Sequence, residues 1–270
     1  MFSNLCARIL QEPLSPLCHA MNEEKSDKGS GEHNYTKLYY KLFGRRCRQP
    51  LRILEFGIGT VNAGIESTMV HHVDRGYRPG ASARGWRLYF PNAHIYVCDV
   101  DQDAVDLVND EARAHGDDRM RALHVDQRSS SSVAQMLEHA RGGYIEGDDV
   151  DESVRAAEMR AYDIVVDDGL HEFETNMHVM RLVLGKCALA DHGYYIVEDV
   201  IDYDERHVPR EFLKKHGYEY EYVEVPHSSS RVDNNLFIVH YTHKPHKEKD
   251  AKVSLFDLTQ KTHDQESKNE

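Results

Sequence analysis

Apolar and polar positions along the chain alternate with the two periods that separate strands from helices. Leu51-Arg52-Ile53-Leu54-Glu55-Phe56 is a short, mostly apolar run that stops at Gly57-Ile58-Gly59-Thr60. A run of this length bounded by glycines reads as a buried strand entering a turn. Residues 94–98, 120–125, 162–166 and 193–197 read the same way, and 218–225 and 236–241 read as two late strands. Between them the period lengthens. Tyr35, Leu38, Tyr39, Leu42 and Phe43 share one helical face, and 103–114, 131–141, 172–188 and 207–215 carry further helical stretches. Phe173, Met177, Met180 and Leu184 form a core face, with the methionines read as packing residues. Residues 80–90 open another helix, with Ser82 as its expected N-cap. Residues 1–30 have weak pattern, and 61–80 and 142–160 read as insertions. Strands alternating with helices predict an α/β domain built on a parallel sheet.

The expected strands end in chemistry. Tyr162-Asp163-Ile164-Val165-Val166 runs into Asp167-Asp168-Gly169-Leu170-His171, and Gly193-Tyr194-Tyr195-Ile196-Val197 runs into Glu198-Asp199. Acids and a histidine at the ends of buried strands occupy the position where open α/β sheets bind ligands. The first turn, with Gly57 and Gly59, lets backbone approach a ligand, although the full dinucleotide fingerprint is missing. Glu55 either meets a cationic ligand group or is an exposed strand-end carboxylate. Asp99, at the end of the second strand, has the placement of a ribose-diol acceptor. Asp126-Gln127, at the end of the third, offers an acid and an amide to a base edge such as adenine N6. His33 and Tyr35 follow a polar glycine-containing loop and could border a pocket; His71 and His72 read as surface.

Composition narrows the function. The 270 residues are 40% hydrophobic and 29% charged, ordinary for a globular chain, and the formal net charge is −13. That charge argues against a passive binder of nucleic acid or anionic membrane. No apolar run is long enough to span a bilayer, and Pro13, Pro16, Glu12 and His19 interrupt the first twenty residues, so no secretory signal is expected. Five scattered cysteines without a C-x-x-C pair fit reduced thiols, and the expected location is cytoplasmic. The Lys-, His-, Asp- and Glu-rich stretch 243–270 reads as a disordered tail.

The element order resembles a class I S-adenosylmethionine-dependent methyltransferase. Several stretches narrow the likeness: Ser26-Asp27-Lys28-Gly29-Ser30 with His33 and Tyr35; Pro79-Gly80-Ala81-Ser82-Ala83-Arg84-Gly85-Trp86 with Tyr89-Phe90-Pro91-Asn92-Ala93; Val125-Asp126-Gln127; Asp167-Asp168-Gly169-Leu170-His171; and Ile196-Val197-Glu198-Asp199. Together they resemble the metal-dependent sugar O-methyltransferases of macrolide biosynthesis and are similar to the cephalosporin-hydroxylase-like group. The resemblance implies a Rossmann-like seven-stranded sheet, mostly parallel with one antiparallel late strand and helices on both faces. It implies a methyltransferase domain over 25–242, preceded by an N-terminal segment over 1–24, and possible homo-oligomers. It also implies that Asp168, Glu198 and Asp199 hold Mg²⁺ and that His171 is the general base. Departures are the 61–80 insertion, little N-terminal extension, and Ala83 and Gly85 where larger residues are commoner.

In the sheet order of that fold, the ends of strands four and five are about 5 Å apart. Asp168, Glu198 and Asp199 would then converge, and three carboxylates repel one another unless a cation sits among them. A hard divalent ion with oxygen ligands answers that need and would acidify an acceptor hydroxyl. His171 follows Asp168 closely enough to take that proton; its alternative is a helix N-terminal residue bonded to backbone. Asp167 points away from Asp168 by strand alternation and is expected to be structural. On the cofactor side, Glu55 and Gly57 would meet the methionine part, Ser82 its carboxylate, Asp99 the ribose, and Asp126 with Gln127 the adenine. The expected reaction is methyl transfer from S-adenosylmethionine to a sugar or glycoside hydroxyl, with no nucleic-acid or membrane partner. The alternatives are a catechol or phenolic acceptor, and a non-catalytic metabolite-binding module.

Overall fold

The computed structural model of the chain describes residues 14–141, 162–186, 189–225 and 233–241. The expected insertion over 142–160 and tail over 243–270 lie outside the described residues. Seven strands form one sheet in the order β3-β2-β1-β4-β5-β7-β6. They are β1 (Arg52–Phe56), β2 (His94–Asp99), β3 (Met120–His124), β4 (Tyr162–Asp167), β5 (Leu189–Val197), β6 (Tyr218–Glu224) and β7 (Asn235–Tyr241). β1 through β5 pair in parallel, and β7 runs antiparallel to both β5 and β6. A mostly parallel sheet with one antiparallel late strand is thus the architecture found.

Strand alternation divides the core in two. Ile53, Ile95, Val97, Ile164, Val166 and Ile196 face one cluster; Leu54, Phe56, Cys98, Val165, Tyr195 and Val197 face the other. The first face is covered by α1 (Pro16–Glu23), α2 (Thr36–Phe43), α3 (Ala81–Tyr89) and α4 (Gln102–Ala114). The second is covered by α5 (Ser130–Arg141), α6 (Phe173–Lys186) and α7 (Arg210–Lys215). Met177 and Met180 are core residues of α6.

Helix α1 lies where the sequence pattern is weakest. Ser15 caps it, its side chain accepting from the Cys18 amide at 3.1 Å, and Pro16 supplies the pre-set φ of a first helical residue. Leu17 and Met21 are fully buried. Met21 also explains Gly85: a Cβ there would collide with the Met21 sulfur, so the small residue in α3 admits α1. The expected N-cap of α3 is corrected. The helix starts at Ala81 with Gly80 as cap at φ 81°, and Ser82 falls inside the first turn. The 61–80 insertion is not wholly irregular, since Thr68–Arg75 form a 3-10 run. Cys18, Cys47 and Cys98 are free thiols. Among the described residues, no helix is long and apolar enough to cross a membrane.

Candidate active site

The parallel strands deliver their C-terminal ends to one rim of the sheet, and a cavity of about 550 Å³ opens there. Its wall runs from the glycine turn after β1 (Gly57, Ile58, Gly59), through Asp99 after β2 and Asp126 after β3, to Asp168, His171 and Asp199 after β4 and β5. Gly57 makes the junction possible. It has φ 94°, and a Cβ on it would collide with the Asp168 carbonyl, so only glycine lets the β1 and β4 ends meet.

At the β4–β5 end, Asp168, His171 and Asp199 each offer a ligand atom, and these atoms lie within 4.8 Å of one another. His171 and Asp199 both hold left-handed backbone, with φ 56° and 53°. Such conformations are uncommon outside glycine and persist where surrounding contacts impose them, often at functional sites. His171 Nδ1 sits 3.8 Å from Asp199 Oδ2, too far for a hydrogen bond, and this buried nitrogen has no hydrogen-bond partner. The helix-terminal alternative, a ring nitrogen bonded to backbone, is therefore not met at Nδ1. Burial and the Asp168 charge push the Asp199 carboxyl up to about 6, against the opposing pull of His33 and His171.

Glu198 lies behind this group. Its Oε2 is 2.6 Å from Lys28 Nζ, and its Oε1 accepts from the Tyr39 hydroxyl. Lys28 Nζ also lies 2.5 Å from Asp168 Oδ2 and 3.1 Å from Glu55 Oε1. Burial alone would lower the lysine pKa, but Asp168, Glu198 and Glu55 outweigh it and hold the ammonium charged. The Glu198 carboxyl is pushed up by burial, pulled down by Lys28 and pushed up again by Asp168 and Asp199. Burial thus acts in opposite senses on the two groups, and the surplus of carboxylates around the one ammonium raises both.

The outer supports are hydrogen bonds from aromatic residues. Tyr35 Oη donates to Asp199 Oδ1 at 2.6 Å, and Trp86 Nε1 donates to Glu55 Oε2 at 2.7 Å. His33, stacked on Tyr35, has Nδ1 3.2 Å from Asn234 Oδ1 and 3.4 Å from Asp199 Oδ1. Asp167 faces away from the cavity, accepting from Gln127 Nε2 at 2.7 Å and Tyr195 Oη at 2.8 Å.

The cofactor-side residues divide. Gly57, Ser82, Asp99, Asp126 and Gln127 line the cavity; Glu55 does not. Glu55 is fully buried rather than an exposed strand-end acid, and the cation it meets is Lys28. Asp99 accepts from the Ile58 amide at 2.8 Å and the Asp101 amide at 2.9 Å, which ties the glycine turn to β2. Asp126 accepts from the Arg128 amide at 2.9 Å. The amide of Gln127 is committed to Asp167 as well as bordering the cavity. His72, expected at the surface, lines the cavity, and Tyr77 Oη donates to Gly59 O at 2.8 Å, bracing the turn.

No protein-family model matches the chain. Among curated proteins it is 31% identical over 177 residues to an 8-demethyl-8-(2-methoxy-alpha-L-rhamnosyl)-tetracenomycin-C 3'-O-methyltransferase of Streptomyces olivaceus, covering 65% of this chain and 34% of that protein. It is 26% identical over 201 residues to an L-olivosyl-oleandolide 3-O-methyltransferase of Streptomyces antibioticus, covering 73% and 40%. The chain thus spans well under half the length of these relatives. Among solved structures, the MycE methyltransferase of the mycinamycin pathway, in complex with Mg, SAH and mycinamycin VI, superposes with a TM-score of 0.52 at 17% identity, covering 90% of this chain and 58% of that one. The fold is the class I methyltransferase fold. Within that fold the chain resembles the macrolide sugar O-methyltransferases.

Proposed function

We propose that the chain is an S-adenosylmethionine-dependent O-methyltransferase, assisted by Mg²⁺, that methylates a hydroxyl of a sugar or glycoside. The observation that carries this reading is the continuity of one cavity. It joins a glycine turn and strand-end acids suited to a nucleoside to an acid–histidine group suited to an acceptor hydroxyl. The names of the relatives, all sugar O-methyltransferases, support the acceptor class. The methyltransferase domain would span residues 25–242, with α1 of the N-terminal segment packed onto its core.

S-adenosylmethionine would supply an electrophilic methyl group, and the divalent cation a positive charge that makes the acceptor hydroxyl more acidic. The donor set fits a hard cation: Asp168 and Asp199 present carboxylate oxygens to the cavity, with Glu198 as the third carboxylate behind them. His171, whose side chain is 26% exposed on the cavity wall, would take the acceptor proton. Tyr35 and His33 would hold Asp199 in place, leaving its second oxygen toward His171. Asp99 would accept the ribose hydroxyls, Asp126 and Gln127 would border the adenine, and Gly57 and Ser82 the amino-acid end. Glu55 would act from behind the cavity wall by holding Lys28.

The test is methyl transfer from labelled S-adenosylmethionine to a panel of glycosides and phenols, with and without EDTA, for the wild type and His171→Ala. Metal-dependent transfer to glycosides, lost in the variant, is expected. Transfer that survives both EDTA and His171→Ala would refute the mechanism; transfer to phenols alone would move the acceptor class.

A further inference from the structure

Among the described residues, Lys28 joins the two ends of the site. Its Nζ bridges Glu55 at the β1 end to Asp168 and Glu198 at the β4 and β5 ends, and its side chain is 1% exposed. Glu55 and Glu198 are just as dry, and they accept hydrogen bonds from Trp86 and Tyr39 respectively. Asp27 adds a further negative charge nearby. A lysine is driven into such a place only by the acids around it, since an ammonium in low dielectric is costly unless paired. The loop that carries it is built to hold it there: the Thr36 amide donates to Lys28 O at 3.2 Å, and the Lys28 amide to Ser26 Oγ at 3.4 Å.

We propose that Lys28 is a positioning residue that serves as the site's resident cation, holding Asp168 and Glu198 convergent before a divalent ion arrives and weakening that ion's binding by sharing its carboxylates. The inference rests on the metal-assisted reading above only for the identity of the incoming ion. Asp168 is common to both cations: its Oδ2 is on Lys28, while it also belongs to the group with His171 and Asp199. A second positive charge beside the same carboxylate repels the first, so loss of the lysine leaves more negative charge for the metal. A purely architectural lysine predicts the reverse, because a collapsed site binds metal less well.

The experiment compares the full chain as wild type and as Lys28→Met, with Mn²⁺ as the probe. Binding is read by electron paramagnetic resonance, and thermal unfolding is followed in EDTA and in Mn²⁺. The expected result is Mn²⁺ binding tighter by about tenfold or more in the variant. The variant should also have a lower midpoint in EDTA and a larger rise on adding Mn²⁺ than the wild type. If Lys28→Met does not fold, Lys28→Gln, neutral but still able to donate to the acids, gives the same comparison. Unchanged or weaker Mn²⁺ binding in the folded variant overturns the proposal. Binding by the variant but not by the wild type supports it while refuting Mg²⁺ dependence of the native protein. Calorimetry of S-adenosylhomocysteine with the wild type in EDTA tests the methyltransferase reading separately.

Discussion

Tyr39→Phe isolates a single buried contact. The substitution removes the hydroxyl that donates to Glu198 Oε1 and leaves the ring packed on Phe43 and Trp86, at centroid distances of 5.3 and 5.8 Å. Glu198 is 2% exposed, so water does not reach the abandoned oxygen, and Lys28 already serves the other one. A hydrogen bond to an ionised group contributes about 1.5–3 kcal/mol net, and a stranded buried acceptor falls at the upper end. The expected loss is therefore about 2–3 kcal/mol, or roughly 5–10 °C in Tm for a domain of this size. Tyr35→Phe is the control. It also removes longer contacts with the Asp199 amide at 3.3 Å and Asp233 O at 3.2 Å, but Asp199 has a 15% exposed side chain and keeps His33 Nδ1 at 3.4 Å, so water and imidazole partly replace what is lost and the cost falls to about 0.5–1.5 kcal/mol. Urea unfolding in EDTA reads both variants through Trp86, the sole tryptophan, which lies fully buried beside Tyr39. A Tyr39→Phe loss under about 0.5 kcal/mol, or a larger loss for Tyr35→Phe, would refute the account of how Glu198 is held.

Three further outcomes follow from the geometry. Gly57→Ala should lose about 2–4 kcal/mol by urea unfolding, from a left-handed φ combined with a collision against the Asp168 backbone, and should lose S-adenosylhomocysteine binding in calorimetry. Asp99→Ala should weaken S-adenosylhomocysteine at least tenfold by calorimetry, since it removes both a cavity-wall acceptor and the brace on Ile58. Arg87→Met removes the pair with Asp117, whose contacts are 2.6 and 3.2 Å. Although burial opposes it, the bonds from Arg87 and the Arg119 amide hold the Asp117 carboxyl below its ordinary 3.8. A depressed carboxyl contributes stability above its unfolded pKa and loses it as pH falls through the folded one. The cost of Arg87→Met, about 0.5–1 kcal/mol at pH 7, should therefore be constant down to about pH 4 and shrink below it in parallel urea titrations.

The strands and their acidic ends were legible because two local signals agree there: a short apolar run, and a glycine or acid that stops it. That is how Asp168, Asp199 and His171 could be placed from sequence in the group the structure brings together. Alternation also set Asp167 apart from Asp168 as a structural residue, and Gln127 and Tyr195 hold it. Helix α1 was not legible, because eight residues with a proline, an asparagine and two small residues make too short a stripe to stand out. The cap of α3 was misplaced because Gly80 caps through its left-handed backbone, which leaves Ser82, the more familiar capping type, inside the first turn. Lys28 was missed for another reason. It sits in a polar loop with no period, and its partners Asp168 and Glu198 are 140 and 170 residues away. The signal available was an imbalance: strand-end acids at Glu55, Asp168, Glu198 and Asp199 without a matching cation at any strand end.

That imbalance also explains the division of labour among the acids. Sequence treats Asp168, Glu198 and Asp199 as equivalent ligands, but burial separates them. Glu198, enclosed by Lys28 and Tyr39, is fixed before any ligand enters. Asp168 and Asp199, each with a 15% exposed side chain, face the cavity and can exchange partners. His171 stands beside the exchangeable pair, its side chain 26% exposed on the cavity wall. A fixed acid, two exchangeable acids and a histidine beside them make a site whose negative charge is only partly neutralised by the protein. Under the proposed function, that residual charge would suit a small cation and the histidine an acceptor hydroxyl.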